Sequence, residues 1–289
     1  MEPFIEGGTL IFFDEVQSCP NARTAIKFLV QDGRFDYIES GSLFGINYQD
    51  VSSYPVGFEM QHEMHSLDFE EYLWGKGIGE EVIAVLRESF IQRKPLNPII
   101  HKAMMRNFRE YMVVGGMPRV INKFIETGDI SKVIQEQKDI INGYRDDVKK
   151  YAGTNKNKVQ ETFDSIPEQL NKKNKRYFLT MLSKEPRMRT YKDSIMWLFD
   201  ANIASPFYNI SAIEFPLSLN EKRNLFKVYM KDTGLLVAMS FGNIQNEVLN
   251  GNIEINEGSI LENALAEAFV KNGHRLNYYD RKKTNQHGN

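Results

Sequence analysis

The chain has 289 residues, an apolar fraction of 42% and a formal net charge of −2, a balance that predicts neither a nucleic-acid coat nor a membrane-surface protein. Its one cysteine, Cys19, excludes an intramolecular disulfide and fits a reducing cytoplasm, with a small buried thiol as the default reading. The length favours two domains over one, no apolar run approaches the roughly 18 residues of a membrane span, and the opening "MEPFIEGG" lacks an apolar signal segment. A cytoplasmic protein that does not enter the membrane is expected.

In chain order, Thr9–Phe13 is apolar after its first residue, which suits a strand buried on both faces. Ala22, Ala25, Ile26, Leu29 and Val30 follow at helical spacing, with Pro20 and Asn21 as a start signal. Phe35–Ile38 is a second short strand ending at "ESGS". Strand, helix and strand in so short a stretch make the βαβ unit of a parallel sheet. Phe58–Leu67 is a third strand candidate. From Phe69 the pattern turns helical, and "NPIIHKAMMRNFREYMVVGGMPRVINKFIETGD" reads as two helices broken at Gly115, Gly116 and Pro118. Loops follow at "AGTNKNK" and "SKEPRMR". The last helix, Ser259–Val270, carries Ile260, Leu261, Ala264, Leu265, Ala268 and Phe269 as one apolar face.

The first strand ends in two adjacent acids, Asp14 and Glu15. At the carboxyl end of a parallel strand this pair suits nucleotide hydrolysis, with Asp14 holding Mg²⁺ and Glu15 orienting the attacking water. The competing reading is a loop start that caps the next helix. Ser40 and Ser42 end the neighbouring strand at βαβ spacing, where ATPases place a small polar residue that senses the γ-phosphate. A plain serine-glycine turn around Gly41 is the alternative.

"LIFFDEVQ", "SGSLFGI" and "HSLDFEEYL", followed by "YMVVGGMPRVI", "LNEKRNLFKVYMKDTGLL" and "EGSILENALAEAFVKNGHRLNYYDRKK", resemble an AAA-type ATPase of the prokaryotic group with a C-terminal domain of unknown function. The resemblance implies an α/β parallel-sheet ATPase core, then a mainly α-helical winged-helix region, then the start of a nuclease-like α/β domain. In numbers this gives a partial core at 1–75, a helical lid or linker at 76–150, a winged helix at 151–240 and the nuclease-like start at 255–289. It implies ATP and Mg²⁺ as cofactors, with Asp14, Glu15, Ser40 and Ser42 as the site. An unidentified protein client is the implied partner.

The sequence departs from that pattern in three places. No G-x-x-x-x-G-K-[ST] is present; "WGKGIG" at Trp74–Gly79 has Gly77 where Ser or Thr should stand and reads as a loop. Phe58 follows Gly57 where the family often has a phosphate-reaching arginine. The nuclease-like segment reaches "NYYDRKKTNQHGN" with Glu262 at its first acidic position and without the later partners. The expectation is a fragment cut at both ends, inactive alone, whose uncovered apolar surface leads to self-association.

A second activity is open. "VQETFDSIPEQLNKKNKRYFLTML" and "RMRTYKDSIMWLFDANIASPFYN" resemble a winged-helix module with a recognition-type helix over Arg189–Ala201. Lys172, Lys173, Lys175, Arg176, Lys184, Arg187, Arg189 and Lys192 cluster there, either against DNA phosphates or as the solvated face of a protein-binding module. Tyr191 and Trp197 read as packing residues. Three function classes result: an ATP-dependent switch, a DNA- or protein-binding winged-helix module scaffolded by the ATPase remnant, and a remnant without function.

Overall fold

The computed structural model of the protein describes residues 4–41, 57–172, 175–177, 188–240, 244–251 and 258–280. Two units are formed, residues 1–64 with 196–202, and residues 65–195 with 203–289.

In the first unit, β1 (Leu10–Phe13), α1 (Pro20–Asp32) and β2 (Asp36–Glu39) follow one another. The strands pair in parallel from Leu10 opposite Asp36 to Phe13 opposite Glu39, as the spacing predicts. Pro20 opens α1, and Gly33, at φ 71°, stops it by bonding back to Leu29. The expectation of a strand buried on both faces is corrected. Leu10, Phe12 and Ile38 are exposed, while the Phe13 and Tyr37 rings stack on the half-buried face. This sheet has two strands among the described residues, and the face that carries Leu10, Phe12 and Ile38 is left to solvent. Cys19 is exposed as well, at the junction between a 3₁₀ turn and α1.

In the second unit α2 (Phe69–Gly75), α3 (Glu80–Gln92), α4 (Pro98–Val114), α5 (Pro118–Thr127), α6 (Ile130–Tyr151) and α7 (Lys156–Leu170) come first. They are followed by α8 (Met188–Asp200), whose residues from Met196 on belong to the first unit, and by β3 (Ala204–Ile210), β4 (Glu221–Met230), α9 (Thr233–Met239), α10 (Ile244–Asn250), α11 (Ser259–Lys271) and β5 (Asn277–Tyr279). The strand order is β4-β3-β5, antiparallel between β3 and β4 and parallel between β3 and β5. Asp68 and Glu71 form a reciprocal capping box on α2.

Phe58–Leu67 does not form the expected third strand; residues 59–68 carry no ladder. The end of this segment is tied to a helix terminus instead, where the Leu67 amide donates to the Gly116 carbonyl at 2.8 Å. That contact explains Gly116. A Cβ there would lie 2.1 Å from the Leu67 carbonyl oxygen, closer than any side chain tolerates. Gly234 plays the same part at the start of α9, where a Cβ would meet the Val114 carbonyl oxygen at 2.5 Å.

The core is built around α4. Tyr111 and Val114 face Tyr72, Leu73, Val120, Ile121 and Val133. Met112 and Val113 face the other way, onto Val237, Val248, Ile260 and Ala264. The hydrophobic effect therefore holds α4 from both sides, which needs apolar residues in an unbroken run at its end. Tyr191 and Trp197 on α8 are buried as packing residues. The apolar face expected on α11 is rotated. Leu265 and Phe269 are exposed, and Asn263 and Glu267 are buried in their place, because each satisfies backbone groups at the junction of β4 and α9.

Candidate functional site

Asp14 and Ser40 follow the carboxyl ends of two paired parallel strands. Ser40 is fixed by its backbone: its amide donates to the Phe13 carbonyl and its carbonyl accepts from the Val16 amide, both at 2.9 Å. From there its hydroxyl donates to Asp14 Oδ1 at 2.5 Å. The Glu15 amide approaches Ser40 Oγ at 3.4 Å, with Glu15 in the left-handed region at φ 51°. Three of the four residues expected to form a site from sequence are thus adjacent. Ser42 lies outside the described residues.

Behind this point sits a residue the sequence reading passed over. Arg23 on α1 is buried, and its guanidinium bonds Glu39, the last residue of β2, and Glu59. Burial raises the Glu39 carboxyl above its ordinary range, the Arg23 charge opposes this, and Glu59 adds to it. The signal was the position of Arg23, three residues before Ile26 on the same helical stripe.

The remaining nucleotide signals do not converge on that point. Lys76 of "WGKGIG" donates to Asn107 Oδ1 at 2.9 Å and pairs with Glu110, so its ammonium holds α2 to α4. Phe58 lies beneath the Lys27 ammonium, 5.6 Å from the ring centre.

Of the basic residues in the winged-helix reading, Lys175 is buried and pairs with Glu262 at 2.6 Å, and Arg176 pairs with Asp280. Lys172 is half-buried, and Lys192 is exposed on α8 beside Asp193. Lys173, Lys184 and Arg187 lie outside the described residues, as does the side chain of Arg189. Glu262 collects three donors: Lys175, Lys227 at 2.8 Å and the Tyr229 hydroxyl. Burial alone would raise its carboxyl, but these bonds overcome it and hold the group at about 2.

A second polar network is one that the sequence reading passed over. The Asp232 carboxylate accepts from the Gly116 amide at 2.7 Å and caps α9 through the Leu235 amide at 2.9 Å. Glu267 accepts from the Thr233 amide at 2.8 Å and the Thr233 hydroxyl at 2.6 Å, and pairs with Lys271 at 2.5 Å. Lys271 also donates to the Leu67 carbonyl at 2.9 Å. Asn263 holds both backbone groups of Met230. From α6, buried Gln137 donates to the carbonyls of Val113 and Val114, the orphan acceptors at the end of α4. Burial raises the Asp232 carboxyl against its backbone bonds, and burial beside Asp232 lifts Glu267 to about 7 against the pull of Lys271. The cue was "ENALAEAFVK", where Asn263, Glu267 and Lys271 recur every four residues inside an apolar run.

Among the described residues no group of three or more His, Cys, Asp or Glu side chains is placed to hold a metal, and no helix is long and apolar enough to cross a membrane.

Comparison with curated proteins and with solved structures finds no match. Two family models do match. Residues 105–246 match a domain of unknown function (DUF8612), a span that holds Gly116, Gln137 and Asp232. Residues 1–73 match an AAA domain, a span that holds Asp14, Glu15, Arg23 and Ser40. The chain is thus similar to an AAA domain over residues 1–73 and to a domain of unknown function over residues 105–246.

Proposed function

We propose that Asp14, Glu15 and Ser40 form half of a nucleotide-responsive site in an ATP-dependent switch. The observation that carries this reading is the 2.5 Å bond from Ser40 Oγ to Asp14 Oδ1 across two parallel strands. Ser40 has one hydroxyl hydrogen. It can be given to Asp14 or to a phosphate oxygen, but not to both, so the arrival of a γ-phosphate frees Asp14 for another partner. Asp14 is the residue that would hold Mg²⁺, which when bound offsets phosphate charge. Glu15 would orient and polarise water, and Ser42 would stand with Ser40 on the phosphate side.

The sequence holds no G-x-x-x-x-G-K-[ST] phosphate-loop motif. In this reading the phosphate cradle comes from elsewhere, and the chain alone does not turn over ATP. The test is phosphate release by the chain and by a Glu15→Gln variant. Equal, background-level release is expected; turnover above the variant overturns the half-site reading. Loss of magnesium-dependent binding of a fluorescent ATP analogue in Asp14→Asn, in the presence of a separate phosphate-loop polypeptide, is the positive arm.

The order α7, α8, β3, β4 supports reading 151–240 as a winged-helix module. The ion pairs of Lys175 and Arg176 favour a protein contact over DNA for it, since two of its cations are spent on Glu262 and Asp280. In the same way Glu262, neutralised by three donors, favours a structural role for the nuclease-like segment over a catalytic one.

A further inference from the structure

The connection between β3 and β4, Ser211–Asn220, carries three large apolar side chains into solvent. Ile213 is 69% exposed, Phe215 90% and Leu219 80%. Scattered exposed apolar residues are ordinary, but these share one short tip that its own bonds hold in shape. The Ser211 amide bonds the Asn220 carbonyl at 2.9 Å, the Leu219 amide bonds the Pro216 carbonyl at 3.1 Å, and the Asn220 side chain bonds the Glu214 carbonyl at 3.0 Å. A pre-shaped apolar tip loses little entropy when it docks. Exposed Glu214 sits between Ile213 and Phe215, and it forms no ion pair among the described residues.

The same unit carries a second apolar patch. At the end of α3, Leu86, Phe90, Ile91 and Leu96 border a shallow, open depression together with Arg93 and Lys94. Phe90 and Ile91 are as open to solvent as the tip. The Arg93 amide bonds the Phe90 carbonyl and the Lys94 amide bonds the Ser89 carbonyl, which fixes the turn that presents both cations. Arg93 and Lys94 form no ion pair among the described residues.

We propose that the β3–β4 tip of one copy of this chain seats on the α3 patch of a second copy. The surfaces match in two respects: apolar against apolar, and one carboxylate against two cations, none of them ion-paired among the described residues. Within one copy the tip does not cover the α3 patch, because Phe215 and Phe90 both remain in solvent. Tip and α3 patch are different surfaces, so the contact is head-to-tail, and each added copy leaves one tip and one α3 patch open. One tip on one α3 patch buries less than the ~1,600 Å² of a standard stable interface. The association is therefore weak, reversible and concentration-dependent.

Sedimentation velocity on the full chain over a concentration series tests this. The weight-average mass is expected to rise with concentration. Phe215→Asp, or the pair Arg93→Glu and Lys94→Glu, should weaken association at least tenfold. Glu214→Lys combined with that pair should restore it. A mixture of the tip variant with the α3-patch variant should stop at a dimer, since only one intact tip and one intact α3 patch can meet. All these side chains are exposed, and unchanged thermal unfolding of each variant checks that folding is retained. A chain that stays monomeric at every concentration overturns the proposal. So does association that ignores both sets of substitutions, or that the charge exchange fails to restore. Tip-dependent binding to phosphatidylserine vesicles by a chain that remains monomeric also overturns it and gives the tip to a membrane.

Discussion

Asp232 accepts the amide of Gly116 at 2.7 Å, and through this bond one carboxylate closes the turn after α4 while capping α9. The end of α4 and the whole of α9 lie in the stretch that matches a domain of unknown function. The contact requires Gly116 and Gly234 to have no side chain, since each backbone there lies against another.

Asp232→Ala should therefore leave two buried amides without acceptors and cost about 2–5 kcal/mol. Gly116→Ala should destabilise as strongly, because its Cβ would have to displace the Leu67 carbonyl. The contrast is Gly143, inside α6 with nothing within 4 Å of its missing Cβ. Gly143→Ala should stabilise by up to ~1 kcal/mol through helix propensity. Urea unfolding of the three variants, read at tryptophan fluorescence, checks the signs. A neutral Gly116→Ala would mean the backbone approach is looser than described.

Glu267 makes stability depend on pH near neutrality. Its carboxyl is raised to about 7 by burial beside Asp232. The folded state therefore holds a proton that the unfolded chain releases at ordinary carboxylate pH. Stability from this group is fully present below that unfolded value and is lost as pH rises through about 7. The loss is on the order of 3 kcal/mol for a shift of this size. Thermal unfolding from pH 5 to pH 8 should show a falling midpoint, and Glu267→Gln should flatten it. An unchanged slope in that variant would place the titration elsewhere.

The first unit was legible because its signals are local. Pro20, the apolar stripe of α1 and the acids after β1 each report on their own neighbourhood, and the strands paired as their spacing implies. Burial was less legible, because Leu10 and Phe12 look like core in any sequence and are covered only if another element lies on them. The rotation of α11 shows the same limit from the other side. Leu265 and Phe269 outrank Asn263 and Glu267 on any hydrophobic scale. Yet the polar pair is buried, since only amide and carboxylate groups can satisfy the backbone of Met230 and Thr233. That demand comes from residues about thirty positions away, and no periodicity reports it. The strand-end pair shows the same division. Asp14 and Ser40 were readable from strand ends, whereas Arg23 became visible only with Glu39 and Glu59 placed around it.

The Glu262 cluster offers a test of what the basic stretch does. Lys175 is buried against Glu262, so Lys175→Glu should destabilise by about 3–5 kcal/mol through an unpaired buried charge. Lys192→Glu, at an exposed position, should change stability by less than ~0.5 kcal/mol. The Glu262 contribution is present above ordinary carboxylate pH and is lost as pH falls through about 2. Thermal midpoints at pH 7 and pH 3 for Glu262→Gln and the two lysine variants separate these effects. Equal midpoints for Lys175→Glu and Lys192→Glu would show that the Lys175 pair is only a surface contact.

Arg23 gives the last prediction, and it concerns the support under Ser40. Its buried guanidinium faces two carboxylates, Glu39 directly before Ser40 and Glu59. Removing one partner from a buried pair strands the other charge and costs more than the pair itself contributes, about 3–5 kcal/mol. Arg23→Met should therefore unfold or loosen the β1–α1–β2 unit and with it the bond from Ser40 to Asp14. Combining Arg23→Met with Glu39→Met removes the more deeply buried of the two stranded carboxylates, so the double variant should be more stable than Arg23→Met alone. Hydrogen exchange at the Ser40 and Val16 amides reads this directly, because both are held by bonds at the strand ends. Faster exchange in Arg23→Met with partial recovery in the double variant is the expected result. Exchange unchanged in the single variant would show that Arg23 does not hold β2 in place, and that the strand ends keep Ser40 beside Asp14 without it.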